Sequence, residues 1–266
     1  MPVPPRLCPP RPICALLVVL LLAPPRPAGA AAARTATLQA THATDDPDRL
    51  FEAREPAPVE RAVVLWTARL ARNPGDAESA WKLARAHYWL GANVPGTRDA
   101  RRPHLEAGIA VARRAIAMAP AEPHGHFWLA ANMGMLSELF GRREGLRYRA
   151  DIKRALEATR AADPAYLHGA AERALGRWFA TVPAMFGGDK QVGERHLRAA
   201  LEAKRDSTIT MVLLAELLLD TGRRDEARAL LSAALTAPAD PEWTPEDQRY
   251  KARAKDLLSG LATTPR

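Results

Sequence analysis

The stretch VPAMFGGDK, residues 182–190, contains the residue types of a phosphate-binding loop. Glycines followed by a lysine at the start of a helix can hold a phosphate through backbone N–H groups and an ammonium group. That motif requires G-x4-G-K-[ST] after a strand, whereas here the glycines are adjacent, Gln191 follows the lysine and the preceding pattern is helical. We therefore predict an inter-helix turn, in which Gly187 and Gly188 allow positive φ and Asp189 caps the next helix.

His124 and His126 form an H-x-H pair, the residue type and proximity of metal ligands. On a helix this spacing places the two rings on different faces, so joint ligation would require a loop. The chain contains no H-E-x-x-H motif, no G-x-S-x-G motif and no glycine-rich nucleotide fingerprint. We therefore predict no catalytic residues, no metal site and no cofactor, and we expect a protein that is not an enzyme.

The first 30 residues have the layout of a secretory signal peptide. Arg6 and Arg11 form a basic start, Ile13–Ala23 is a short apolar run, and Ala28–Ala30 offers an A-x-A cleavage site. The run is shorter than the roughly 20 apolar residues that cross a bilayer. We predict a signal peptide in residues 1–30 that is cleaved from a periplasmic or secreted protein. An uncleaved signal is the alternative, and it would be the membrane attachment.

Both cysteines, Cys8 and Cys14, lie inside this segment. Cys14 precedes the apolar run and does not stand at the cleavage point, so the sequence predicts a protein that is not a lipoprotein. After cleavage no disulfide and no thiolate metal site would be left. The net charge of the chain is +8. The arginines of the chain alternate with acidic residues along helical faces, as in RRDEARALL. Because such charges are typical of a solvated helix surface, we predict no nucleic-acid partner.

The remainder of the chain divides into a leader and one helical domain. Residues 31–45 lack hydrophobic periodicity and predict a flexible leader. Residues 46–266 alternate between helical patterns and turn residues, with no pattern typical of a strand. We predict an all-α domain over this range.

The helices come in pairs that resemble the tetratricopeptide (TPR) signature, W-x2-L-G-x2-Y followed by A-x3-F and a closing proline. The signature of the first helix starts at Trp81, His126, Ala171 and Met211. Small residues let the two helices of a pair approach closely, and each pair needs a neighbour to bury its apolar face. The sequence therefore predicts about four TPR-like helical hairpins plus flanking helices, stacked in a compact curved solenoid.

The repeats exceed the standard length of about 34 residues. In the first three, the extra residues fall between the two helices, in GANVPGTRDARRP, FGRREGLRY and VPAMFGGDK. We predict three enlarged loops on one edge of the solenoid. Such insertions often mark a working edge, and neutral padding is the alternative.

Residues of the first helices that do not face the core are expected to line a concave groove. Counting along each signature selects Lys82, Trp89, Phe127, Ala131, Glu172, Phe179, Val212, Glu216 and Leu219. A groove of this composition is mostly apolar with a few charges, and it suits an apolar small ligand or a helix or extended peptide of a protein partner. The alternative is that these side chains form part of the core, where aromatic side chains at helical spacing commonly lie.

Residues 57–262 resemble the T-component of TRAP transporters. The likeness is carried by NPGDAESAWKLARAHYWLG, HFWLAANMGM, ALEATRAADPAYLHGAAERALGRWFATVPAMFGGDK and LLAELLLDTGRRDEARALL. The resemblance implies a periplasmic TPR-like bundle with a groove or pore, and a periplasmic solute-binding protein as its partner beside a TRAP permease. Family members are often lipoproteins, and this chain has no cysteine placed for lipidation.

Three functions stay open at this point. The first is an accessory role beside a TRAP-type solute-binding protein, and the second is a general periplasmic TPR scaffold for protein interactions with no transporter link. The third is an enzyme without a recognisable motif. The sequence is compatible with a homo-oligomer and does not identify the ligand or the protein partner.

Overall fold

The computed structural model describes residues 46–240 and 243–263, which belong to one compact unit, Thr44–Arg266. The predicted signal peptide and leader lie outside the described residues. Within the described ranges the chain forms eleven α-helices and one short 3-10 turn, and no strand. The prediction of an all-α fold is confirmed.

In chain order the helices are α1 (Pro47–Glu52), α2 (Pro56–Arg72), α3 (Ala77–Asn93), α4 (Arg98–Met118), α5 (Pro123–Phe140), α6 (Arg142–Ala162), α7 (Ala170–Thr181), α8 (Lys190–Ala203), α9 (Thr208–Asp220), α10 (Arg224–Thr236) and α11 (Thr244–Thr263). Four hairpins follow one another: α3 with α4, α5 with α6, α7 with α8, and α9 with α10. Helices α1 and α2 flank the first hairpin, and α11 packs against α9 and α10. This is the predicted arrangement of four pairs with flanking helices.

Capping side chains begin several helices where the sequence changes from turn residues to an apolar periodicity. The Asp76 carboxylate accepts a hydrogen bond from the Ser79 N–H at 2.9 Å, and the Ser207 hydroxyl accepts one from the Thr210 N–H at 3.3 Å. These bonds satisfy N–H groups that have no partner inside the helix. Proline occupies the first position of α2 and α5, where its missing N–H costs nothing.

Three apolar clusters follow one another along the repeats. The first lies among α1 to α4 around Trp66 and Leu90, the second among α3 to α7 around Trp128 and Met133, and the third among α8 to α11 around Leu214. Each fully buried leucine or methionine contributes roughly 1.5–3 kcal/mol. The first two clusters share α3 and α4, so neighbouring repeats bury each other's apolar faces, as a repeat protein requires.

The structure differs from the prediction of three enlarged loops. Helices α4 and α6 each contain 21 residues, so most of the extra residues of the first two repeats lengthen the second helix. Only Gly141, at φ +81°, separates α5 from α6, and Thr97 caps α4. Arginine, which favours helix, is the most frequent residue of both segments, and a single cap or positive-φ glycine is enough to start a new helix.

The third segment, VPAMFGGDK, connects α7 to α8 through the 3-10 turn Ala184–Phe186. Gly187 has φ +98°, and the Asp189 carboxylate accepts hydrogen bonds from the first turn of α8 at 2.8 and 3.0 Å. Gly188 does not have a positive φ. It lies so close to the carbonyl group of Val182 that a Cβ atom would overlap the oxygen. Close packing of the backbone therefore explains this second glycine.

Candidate functional site

Polar side chains of successive first helices interact with one another: Tyr88 on α3 with Glu138 on α5, and Arg177 on α7 with Glu138 and with Glu216 on α9; they form one row. Arg177 Nη2 lies 2.6 Å from Glu138 Oε1, which links the second repeat to the third. Burial raises the pKa of Tyr88, with a smaller contribution from the nearby Glu246 carboxyl group. The Tyr88 hydroxyl therefore keeps its proton across the physiological pH range.

Helix α11 lies across this row. Tyr250 accepts a hydrogen bond from Arg177 at 3.1 Å, and Arg253 pairs with Glu216 on α9. At the start of α11, the Trp243 ring centroid is 5.6 Å from the Arg54 guanidinium, which follows α1. The C-terminal helix therefore contacts the surface that the sequence assigns to a groove, and it does so from the first flanking helix to the fourth repeat.

The docking of α11 includes one unfavourable group. The Glu246 side chain is buried, and neither carboxyl oxygen has a hydrogen-bond partner within the described residues. Burial raises the pKa of Glu246, against the opposing effect of the positive charges of Arg54 and Arg249. An unsatisfied buried carboxyl group costs free energy, so α11 is held less tightly than its contacts alone would suggest.

The structure places the nine predicted groove residues in two environments. Three of them lie within the apolar clusters, and these are Trp89, Phe127 and Val212. Six are partly exposed, and these are Lys82, Ala131, Glu172, Phe179, Glu216 and Leu219. The three enclosed side chains are packing residues here, because the stacking of neighbouring repeats covers them.

The charged members of the partly exposed set have partners within the chain. Glu172 Oε2 lies 2.5 Å from His196 Nδ1, and the His196 ring stacks on Phe179 at 5.4 Å. Lys82 Nζ lies 2.9 Å from a carboxylate oxygen of Asp48 on α1. His196 belongs to the second helix of its repeat, so a count along the first helices could not have selected it.

The H-x-H pair is divided between two packing roles. The His124 ring stacks on Trp81 at 4.6 Å and meets the Tyr166 ring edge-on at 5.1 Å. His126 Nε2 lies 2.9 Å from the carbonyl oxygen of Pro120. In the part of the chain that the structure describes, no group of three or more His, Cys, Asp or Glu side chains could hold a metal ion.

A cavity of about 260 Å³ opens where the loops after α6, α8 and α10 meet α11. Its lining includes Arg173, Lys204, Thr208, Asp240 and Trp243. Lys204 pairs with Asp240, whereas the Arg173 guanidinium has no hydrogen bond or ion pair to any described residue. Burial lowers the pKa of Arg173. No sequence pattern indicates this site, because its walls come from three loops that are distant along the chain.

A second, smaller cavity of about 190 Å³ lies between the first and second repeats and is lined by Trp81, His124 and Gly125 among others. The His124 ring is already engaged in the ring stack described above. No helix within the described ranges combines the length and the apolar character needed to cross a bilayer.

Two protein families match the sequence. The sequence model of the TRAP transporter T-component family matches residues 126–262. That of a second family, regulator of microtubule dynamics protein 1-3, matches residues 45–186. Each match covers just over half of the chain. No curated protein is significantly similar to it in sequence.

Among solved structures, the chain is similar to a thermophilic TPR protein of Thermus thermophilus. The identity is 24% and the TM-score 0.56, over 76% of this chain and 92% of that chain. MamA matches at 14% identity and a TM-score of 0.48, over 74% of this chain and 92% of that chain. The similarity to the Thermus thermophilus protein is evidence for the fold alone. Together with the four hairpins, it confirms the predicted TPR-like architecture.

Proposed function

Because the chain belongs to the TRAP transporter T-component family, we propose that it is an exported binding protein that acts beside a TRAP-type periplasmic solute-binding protein. The observation that carries this proposal is the family match over residues 126–262, which include three of the four hairpins in whole or in large part. The protein would act by binding and not by catalysis, since TPR-like repeats present side chains on an extended surface.

The match to the regulator of microtubule dynamics family supports a competing role at microtubules. We favour the transporter role because residues 1–30 have the layout of a secretory signal, which would carry the protein away from cytosolic filaments. A general protein-interaction scaffold without a transporter is the second alternative. The three roles differ in their binding partner, so a capture experiment separates them.

We propose that the docking surface for the solute-binding protein lies at the edge of the second and third repeats, where α6 begins and α7 connects to α8. Met185, in the turn before α8, is 83% exposed, and Leu146 on α6 is 42% exposed. The Arg149 side chain connects the two regions, because it donates to the Leu146 carbonyl at 2.9 Å and lies 5.2 Å from the Phe186 ring centroid. Exposed apolar side chains of this size support an interaction site.

Basic side chains lie beside Leu146 along the chain. Arg142, Arg143 and Arg147 are all exposed on the first two turns of α6. A rim of this charge attracts an acidic surface and raises the rate of encounter with it. We therefore propose that the docking face of the solute-binding protein is acidic with an apolar centre.

The test is binding between the purified chain and a TRAP-type periplasmic solute-binding protein of the same organism, measured by titration calorimetry. Met185→Asp is expected to weaken binding by at least about tenfold, because it places a charge at an apolar contact. Val64→Asp is the matched control: Val64 is 66% exposed on α2, away from this surface, and the variant should bind like the wild type. Equal loss in both variants would contradict the proposed surface.

Affinity capture from periplasm tests the role itself. Recovery of a solute-binding protein supports the transporter role. Loss of that recovery with the Met185→Asp variant would show that the proposed docking surface binds the solute-binding protein. Capture of other periplasmic proteins alone would favour the general scaffold. Binding to polymerised tubulin, with no solute-binding protein recovered, would favour the microtubule role.

A further inference from the structure

The cavity beside α7 and α9 contains an arginine that is in direct contact with no oppositely charged group of the described chain. Arg173 lies in the first turns of α7 and lines the cavity, and its guanidinium has no hydrogen bond or ion pair among the residues described. Tyr88, Tyr250 and Asp240 influence it only at longer range. Keeping a cation partly buried without a partner costs stability, which a protein tolerates most readily where a ligand supplies the partner.

A second unsatisfied polar group lines the same cavity. Thr208 is 1% exposed, and its Oγ1 atom has no hydrogen-bond partner within the described ranges. Thr208 is also the first residue of the 13-residue helix α9, whose first N–H groups have no partner inside the helix. A hydroxyl donor and a helix N-terminus both favour a negatively charged ligand.

The other charged groups of the cavity include one ion pair and two further carboxylates. Lys204 pairs with Asp240, and the Asp247 carboxylate accepts a hydrogen bond from the Asp240 N–H at 2.7 Å. Asp206 lies at the exposed rim. Among the polar side chains of the lining that are not exposed, Arg173 and Thr208 are therefore the ones without a hydrogen bond or ion pair to a described residue, and an acceptor group of a ligand would satisfy both.

The remaining lining is apolar. Leu167, Ile209, Pro238 and Trp243 contribute side chains from the three loops and from the start of α11. The volume of about 260 Å³ is near the lower end of ligand pockets, which span roughly 300–1,000 Å³. The site therefore fits a molecule with one anionic end and a short apolar body.

We propose that this cavity binds a small monocarboxylate, whose carboxylate group pairs with the Arg173 guanidinium and reaches the Thr208 hydroxyl while its hydrocarbon part packs against Trp243. Arginine presents two parallel N–H groups that match the two carboxylate oxygens, which makes it well suited to this ligand class. The site is independent of the transporter partnership proposed above, because it uses a different surface of the chain.

The experiment is titration calorimetry of the full chain with butyrate as the probe, with butyramide as the uncharged probe of similar shape and inorganic phosphate as the anion without a hydrocarbon part. Butyrate is expected to bind with a dissociation constant below about 1 mM. Butyramide should bind at least about tenfold more weakly, because it cannot form the charged pair. Equal affinity for butyrate and butyramide, or preference for phosphate, would overturn the proposal.

Arg173→Met tests the assignment of the cation, and Arg228→Met, at an exposed position on α10, is the matched control. Arg173→Met is expected to lose butyrate binding by at least about tenfold, while Arg228→Met keeps the wild-type affinity. Circular dichroism must show that both variants are folded. Arg173→Lys keeps the positive charge but lacks the two parallel N–H groups of the guanidinium, so it should recover part of the affinity. Unchanged binding in folded Arg173→Met would refute the site.

Discussion

The Arg177 guanidinium donates a hydrogen bond at 3.1 Å to the Tyr250 hydroxyl, which lies 73 positions further along the chain. The same guanidinium pairs with Glu138 at 2.6 Å. One side chain therefore connects α5, α7 and α11. It holds the C-terminal helix against the inner surface, which is formed by the first helices of the repeats and which the sequence predicts to be a groove. Any partner that uses this inner surface must either bind beside α11 or displace it.

Removal of the Tyr250 hydroxyl should weaken this connection. We expect Tyr250→Phe to lower the free energy of unfolding by about 1 kcal/mol, the usual contribution of one hydrogen bond. Urea denaturation followed by circular dichroism measures the change. Lys255→Ala, at an exposed position on the same helix, should stay within about 0.5 kcal/mol of the wild type. No difference between the two variants would show that α11 does not depend on this bond.

Two predicted groove residues should respond very differently to truncation. Trp89 is 3% exposed within the first apolar cluster, so Trp89→Ala should lower stability by about 3–5 kcal/mol. Phe179 is partly exposed and stacks on His196, so Phe179→Ala should cost about 1–2 kcal/mol. Chemical denaturation checks both values. Similar losses at the two positions would mean that both side chains have the same structural role.

Substitution of Gly188 by alanine tests the close packing of the α7–α8 turn, and the same substitution at Gly134, inside α5, is the control. A Cβ at Gly188 would overlap the Val182 carbonyl, so Gly188→Ala should lower stability by about 2 kcal/mol or more. At Gly134, inside α5, a Cβ would meet no atom within 4 Å, so Gly134→Ala should raise stability by up to about 1 kcal/mol. Thermal unfolding distinguishes the two signs. A neutral Gly188→Ala would show that the turn can shift to admit a side chain.

The stability should depend on pH through His87. Burial, with a smaller effect from His104, lowers the pKa of His87 to about 4 from its ordinary value of 6.5. Between pH 4 and pH 6.5 the unfolded chain binds the proton more strongly than the folded chain, so the free energy of unfolding falls as the pH falls through this range. The loss of stability begins near pH 6.5 and is nearly complete at pH 4. Its size is on the order of 3 kcal/mol.

Urea denaturation at pH 5 and pH 7.5 measures this dependence. His87→Gln should reduce the difference in stability between the two pH values, because the titrating group is gone. His126→Gln, on α5 and outside this contact, should keep the wild-type difference. An unchanged pH dependence in His87→Gln would assign the effect to other groups.

The helices and their pairing could be predicted from local patterns. Apolar residues at spacings of three and four around Trp66 and Leu214, with caps such as Asp76, identify helices without any knowledge of their neighbours. The repetition of these patterns predicts stacked hairpins, since one hairpin cannot bury its own apolar face. The sequence does not predict the lengthened helices α4 and α6, because helix-favouring residues and turn residues are mixed in those segments.

The sequence by itself therefore determined the all-α class, the four helical hairpins and the residues that resemble the T-component family, because each depends on residues that are close along the chain. Only the tertiary structure decided that α11 covers the inner surface, that Trp89, Phe127 and Val212 are enclosed, and that Arg173 and Thr208 line one cavity. Those outcomes depend on contacts between distant segments, such as the 73-residue separation of Arg177 and Tyr250. No local pattern encodes them, since they follow from how the stacked repeats curve and which surface the last helix then reaches.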